Sequence, residues 1–149
     1  MHTSFRPHYN PDLLNVLSNR RINLNSNPLD EIDFLSQRLD ISSIERLRCE
    51  LNWDRETFLK VIGINTRDIG NYKKGGQLLN ITVVENIVEL AKVATVCLHY
   101  FGSVERWNRW LNQESIQFNN APPLAVIHTI RGRELIKKMI VSLQNGYAA

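Results

Sequence analysis

Apolar residues recur at helical spacing along most of this chain, and no strand-like alternation of useful length appears. DLLNVLS at 12–18 is a short apolar pattern. The tract NRRINLNSN at 19–27 holds four asparagines and reads as a linker, with a domain boundary near it. Asn27 then caps a helix with Pro28 at its first position, and Leu29, Ile32, Leu35 and Leu39 give it one apolar face. Ser42 with Glu45 predicts a capping box for the next helix, which buries Ile44, Leu47 and Leu51. Asp54 caps RETFLKVIG, with Phe58, Leu59 and Ile62 inward and Gly63 at a left-handed end. A long helix opens near Asn80 and runs toward Tyr100, with Val84, Ile87, Val88, Ala91 and Val96 on its apolar positions. Ser103 caps a helix carrying Trp107 and Trp110, and Pro123 opens a short one. Thr129 caps the last, whose apolar face is Leu135, Ile136, Met139, Ile140 and Leu143 and whose end is Gly146. The pattern predicts an all-α fold of about seven or eight helices.

Size and composition narrow the class. The 149 residues suffice for one domain of usual size or two small ones sharing a core. A hydrophobic fraction of 43% with 22% charged residues argues against wholesale disorder. No apolar run approaches the ~20 residues of a membrane helix; the longest, 81–101, is broken by Glu85, Glu89 and Lys92. The start, MHTSFRPHYN, lacks the apolar stretch of a secretory signal, and Cys49 and Cys97 fit no metal or redox spacing. A cytoplasmic protein is expected. His2, His8, His99 and His128 are scattered, there is no phosphate-cradling glycine loop, and no nucleophile lies near an evident base. These features predict a non-enzyme with no cofactor.

The net charge is +3, and its excess lies at the C-terminal end: residues 101–149 carry six basic and three acidic side chains. Affinity for nucleic acid by phosphate neutralisation alone is therefore weak.

One motif nonetheless points to DNA. Residues 54–75 read as helix, tight turn (GIN), helix (TRDIGNYKK). In such a pair the second helix enters the major groove and its first residues reach base edges. Asn65, Thr66, Arg67 and Asn71 would face DNA, with Arg67 suited to guanine and Asn71 to adenine. Lys73, Lys74 and Gln77 would meet phosphates, while Ile64, Ile69 and Tyr72 pack inward. The same helix pair also occurs as a plain packing unit. Asp54, Glu56 and Asp68 dilute the local field, so specific binding would need a dimer reading two half-sites.

The tryptophan helix has two readings. Stacking on single-stranded nucleic acid needs aromatics along a basic groove, and none follows Trp110 at suitable spacing. The stripe Val104, Trp107, Trp110, Leu111 favours packing, with Trp110 as core and Trp107 and Arg106, toward the helix start, at the surface.

Three stretches carry a family resemblance: FGSVERWNRWLN, PPLAVIHTIRGRELI and SLQNGYAA. Phe101-Gly102, Trp110-Leu111, Pro123-Leu124, Thr129 with Gly132, and Gly146 with Tyr147 keep order and spacing. Together they resemble the C-terminal toxin-binding domain of the Xre/MbcA/ParS-type antitoxins. The preceding helix pair, with IGIN into Thr66 and the glycines of KKGG, resembles the Xre-like part. The likeness covers about residues 41–149. It departs where QLLNITVVEN stands in place of an arginine-rich stretch and where FNNAPP lacks glycines.

Residues 1–40 fall outside this likeness and read as a partly helical N-terminal extension, while the resemblance implies an Xre-like helix-turn-helix domain over 41–100 and a toxin-binding domain over 101–149. It implies an antitoxin that dimerises, represses its own operon, and neutralises a RES-type, NAD⁺-consuming toxin by covering the active site with C-terminal residues. Within that reading, Arg131, Arg133, Lys137 and Lys138 form the polar face of the last helix and steer encounter with an acidic surface. Asn145, Gly146, Tyr147, Ala148 and Ala149 enter a pocket on the toxin. A merely solvated helix face and a frayed terminus are the alternatives for these two groups. For the whole chain the alternatives are a stand-alone helix-turn-helix regulator, whose C-terminal part dimerises or senses a ligand, and an adaptor with a vestigial helix-turn-helix.

Overall fold

The computed structural model describes residues 10–75 and 77–146. Eight α-helices follow in order among them: α1 (Leu13–Ser18), α2 (Pro28–Gln37), α3 (Ile41–Leu51), α4 (Arg55–Ile62), α5 (Thr66–Gly75), α6 (Ile81–Phe101), α7 (Val104–Leu111) and α8 (Ile130–Gln144). Two short 3₁₀ turns, Ile116–Phe118 and Pro123–Ala125, join α7 to α8. An isolated antiparallel bridge pairs Ser115 with Ala121. No helix among the described residues is long and apolar enough to cross a membrane.

The central element is α6, against which α1, α2, α4, α7 and α8 pack. Its buried residues include Val84, Ile87, Val88, Leu90, Ala91, Val93, Ala94, Cys97 and Leu98, more than half its circumference. A helix that is apolar on most sides must be enclosed, which explains its place at the centre. Val96, expected on that face, is half-buried. The N-terminal helix is tied to α6 by the Leu13 amide, which donates to Thr95 Oγ1 at 3.0 Å, while Thr95 donates to its own helix at Ala91 O, 2.7 Å. Ile22 is buried in the asparagine-rich tract, and its amide donates to Ser18 Oγ.

The helix starts follow local chemistry. Asn27, Asp54, Ser103 and Thr129 each accept a first-turn backbone N–H, as the sequence predicts, and Asn80, near which the long helix is expected to open, does the same. Gly63 ends α4 at φ +86°, a conformation that disfavours any side chain with a Cβ. The expected capping box at Ser42 is replaced by a cap at Asp40. Asp40 Oδ1 accepts from the Ser43 amide and from both serine hydroxyls, which together hold its carboxyl below its ordinary range. A carboxylate two residues upstream outcompetes the hydroxyl because it accepts three donors at once. Glu45 pairs instead with Arg48 and Arg55.

The apolar face expected for α2 is corrected by the fold. Leu29 is 75% exposed and Ile32 59%, whereas Phe34 is buried with the Arg21 guanidinium over its ring at 4.9 Å. The helix stops at Gln37 because Arg38 takes φ +60°, so Leu39 reaches the core from the following turn rather than from the helix face. Arg38 is fixed there by donating to the Leu78 and Leu79 carbonyls. Ile32, Leu35 and Ile81 line an open groove between α2 and α6.

The tryptophan assignment is also reversed. Trp107 is fully buried and Trp110 is only partly so. On α7, Trp107 is in line with Val104 one turn before and Leu111 one turn after, while Trp110 lies off that line. The deciding partner is Trp53, in the loop before α4. Its ring sits 5.9 Å from that of Trp107, and its far side meets Phe58 edge-on at 6.4 Å. Trp53 Nε1 donates to Asn108 Oδ1 at 2.7 Å, and Asn108 Nδ2 donates to Leu51 O at 2.9 Å, which clamps α7 to the end of α3. Trp110 bridges Phe101 and Phe118 nearer the surface. Arg106 is exposed, as expected.

Candidate functional site

Two surfaces hold the residues singled out in the sequence. The first is the α4–α5 pair. Val61, Ile62, Ile64 and Ile69 are buried beneath it, with Tyr72 packed at the edge. Asn65, Thr66, Arg67, Asn71, Lys73, Lys74 and Gln77 are each exposed. Asn65 is already engaged, because its Oδ1 accepts the Arg67 amide at 2.9 Å and so caps α5. Arg67 and Asn71, four residues apart, share the exposed side of α5, with Asp68 exposed between them. Lys73 and Lys74 stand in the last turn, where cations also complement the helix dipole. The exposed face of α5 thus carries three cations and one carboxylate, enough for phosphate contacts but not for tight indiscriminate binding.

The second surface is α8. Thr129 builds its start: Oγ1 accepts the Gly132 amide at 2.8 Å and donates to Val126 O at 2.8 Å. The threonine hydroxyl thereby ties the first turn of α8 to the turn at 126–129. That closeness leaves no room at Gly132. A Cβ there would stand 1.9 Å from Val126 O and 2.7 Å from Thr129 Oγ1. The Thr-x-x-Gly spacing thus has a steric reason.

Arg131 and Lys138 are exposed and Lys137 is half-exposed, so these three occupy the solvent side as expected. Arg133 does not. It is 5% exposed, with Nη1 donating to Ile127 O at 3.2 Å and Nη2 donating to Asn86 Oδ1 at 3.4 Å. Burial lowers the proton affinity of its guanidinium, partly offset by Glu89. Arg133 is a strut joining α8 to α6 and to the preceding turn, because its position on the helix points at α6. Asn86 also faces Gly63, its Nδ2 lying 3.8 Å from where a Cβ on that glycine would stand. The helix-turn-helix corner and the start of α8 therefore meet the same α6 side chain. Leu135, expected on the apolar face, is exposed instead, because α8 rests on α6 through Ile136, Met139 and Ile140.

Asn145 and Gly146 are exposed, and Gly146, at φ +79°, donates its amide to Leu143 O. Tyr147, Ala148 and Ala149 lie outside the described residues. His99 Nε2 meets the Pro11 carbonyl at 2.7 Å, a structural role, and His128 is exposed. Cys97 is buried against the Trp107 indole, and burial raises the proton affinity of its thiol. Among the described residues, no three His, Cys, Asp or Glu side chains cluster in a way that could hold a metal ion.

Residues 98–146 match the family model described as the antitoxin Xre/MbcA/ParS C-terminal toxin-binding domain. The match starts in the last turn of α6, takes in α7 and α8, and ends at Gly146. None of the curated proteins matches the chain.

Proposed function

We propose that this chain, whose residues 98–146 match the Xre/MbcA/ParS antitoxin toxin-binding domain, is an antitoxin that neutralises its toxin and represses its own operon. The toxin is of the RES type and consumes NAD⁺. The antitoxin covers the toxin's active site with the residues that follow α8, Asn145 to Ala149, while Arg131, Lys137 and Lys138 steer the encounter. It acts in the cytoplasm, without a cofactor and without catalysing a reaction. As a dimer it reads two half-sites of its own operator through α5.

The observation that carries this reading is the match to a toxin-binding domain, whose last helix ends at Gln144 with Asn145 and Gly146 exposed after it. Removing residues 146–149 costs the helix a single described backbone hydrogen bond, from Gly146 to Leu143. The truncated chain is therefore expected to melt within about a degree or two of the intact one and to bind operator as before. Growth rescue on co-expression with the toxin is expected to be lost, because one anchoring aromatic such as Tyr147 can dominate an interface. Full rescue by the truncated chain would place inhibition on the helix face instead.

The DNA half has its own test. Arg67→Ala is expected to cost about 1–3 kcal/mol on operator DNA and to relax base choice at one position. Lys74→Ala is expected to weaken operator and scrambled DNA alike. Gel-shift titrations on both DNAs separate the two. An equal loss on both for Arg67→Ala would remove its base-reading role.

A further inference from the structure

The most exposed large apolar side chain among the described residues lies in neither surface above. Ile116 is 84% exposed, in the 3₁₀ turn between α7 and α8. A solitary exposed aliphatic on a surface is common and by itself means little. Here the loop beneath it is built to hold it still. The Ser115 amide donates to Ala121 O at 3.2 Å, and the Asn120 amide donates to Ser115 O at 2.9 Å, so the loop closes on itself. Phe118, two residues on, is buried and meets Trp110 edge-on at 6.2 Å, which anchors the loop to α7. Asn119 and Asn120 both take positive φ, +59° and +64°, a turn few residues make without strain. Ser115 Oγ donates to Gln117 Oε1 and stiffens the side facing solvent.

Ile116 gains almost no burial from this scaffold, so its aliphatic chain contributes little to folding. Around it Gln113, Glu114, Gln117, Asn119 and Asn120 are exposed, one charge among five polar groups. An apolar knob inside a polar, nearly neutral rim is the arrangement of an interface anchor, and holding the knob rigid before binding lowers the ordering cost. The whole loop falls inside the segment matched as a toxin-binding domain, which favours a toxin as the partner that covers it.

We propose that Ile116 is an apolar anchor for the toxin, entering an aliphatic pocket on the toxin surface apart from its active site. This rests on the antitoxin reading above. It assigns the loop a holding role, distinct from steering by the α8 cations and from plugging by the tail.

The test uses the full chain and a purified, catalytically inactive RES-domain toxin, the partner class proposed above. Ile116→Asp is expected to leave the melting temperature unchanged and to weaken binding by about 30-fold or more, mostly through faster dissociation. Ile116→Leu is expected to retain most of the affinity. In a Cys49→Ser background, an environment-sensitive dye on Ile116→Cys is expected to shift to the blue when the toxin binds. Unchanged affinity for Ile116→Asp, or a dye that stays solvated in the complex, overturns the anchor while leaving the antitoxin reading in place. Failure of the wild-type chain to bind the RES-domain protein overturns both. A change in the oligomeric state of the free Ile116→Asp chain would reassign the knob to a second copy and likewise overturn the proposal.

Discussion

Trp107→Ala is expected to lower the unfolding free energy by about 3–5 kcal/mol, the range for deleting a large buried aromatic. Trp107 is fully buried, and its ring is one end of a chain of three, Trp107 to Trp53 to Phe58. Phe58 belongs to α4, the helix that supports α5. Removing the indole therefore leaves a cavity between α7 and the Trp53–Phe58 pair that leads into α4. For a chain of this length the loss corresponds to roughly 10 °C in melting temperature. Urea unfolding followed by tryptophan fluorescence and by far-ultraviolet circular dichroism gives the number. Trp110→Ala serves as the comparison. Its ring is only partly buried, so its truncation is expected to cost distinctly less. A Trp107 variant that melts like the wild type, beside a Trp110 variant that does not, would reverse the assignment.

Gly132→Ala is expected to destabilise by about 3 kcal/mol, although alanine is the better helix former. The added methyl would stand 1.9 Å from the Val126 carbonyl oxygen and 2.6 Å from its carbon. These are backbone atoms of the turn that Thr129 ties to α8, so no flexible side chain can move aside. Either α8 shifts away from the turn or the turn opens. In both cases the hydrogen bonds at Thr129 and the reach of Arg133 to Ile127 are strained. The exposed side of α8, with Arg131 and Lys138, is then presented at a different angle, and toxin affinity is expected to fall with stability. Gly70→Ala is the control. It lies within α5 with nothing inside 4 Å of the added methyl, so a stabilisation of about 0.5–1 kcal/mol is expected there. Equal melting of the Gly132 variant and the wild type would show that the turn yields freely.

The local rules of the chain were written where a single residue or a short spacing decides the outcome. A cap needs one side-chain acceptor and one nearby amide, so Asn27, Asp54, Ser103 and Thr129 were legible. The α4–α5 helix pair was legible because Gly63 must be left-handed and Ile64 and Ile69 must be inward. The all-α class followed from the 3.6-residue period, and the likeness to the antitoxin toxin-binding domain, matched over residues 98–146, from motifs that keep order and spacing.

What one side of a helix meets was decided only by the tertiary structure. Leu29 and Ile32 satisfy an apolar period, yet α2 turns them outward because Phe34 occupies the contact with the core. Trp107 and Trp110 are equivalent by spacing, and only Trp53, distant in sequence, selects the first of them for burial. Arg133 reads as one more cation beside Arg131, Lys137 and Lys138. It is buried because α6 places Asn86, and the turn before α8 places Ile127 O, where its guanidinium can donate. Periodicity fixes which residues share a face, but burial is a property of the partner, and partners far apart in sequence are brought together only by the packing of whole helices on α6.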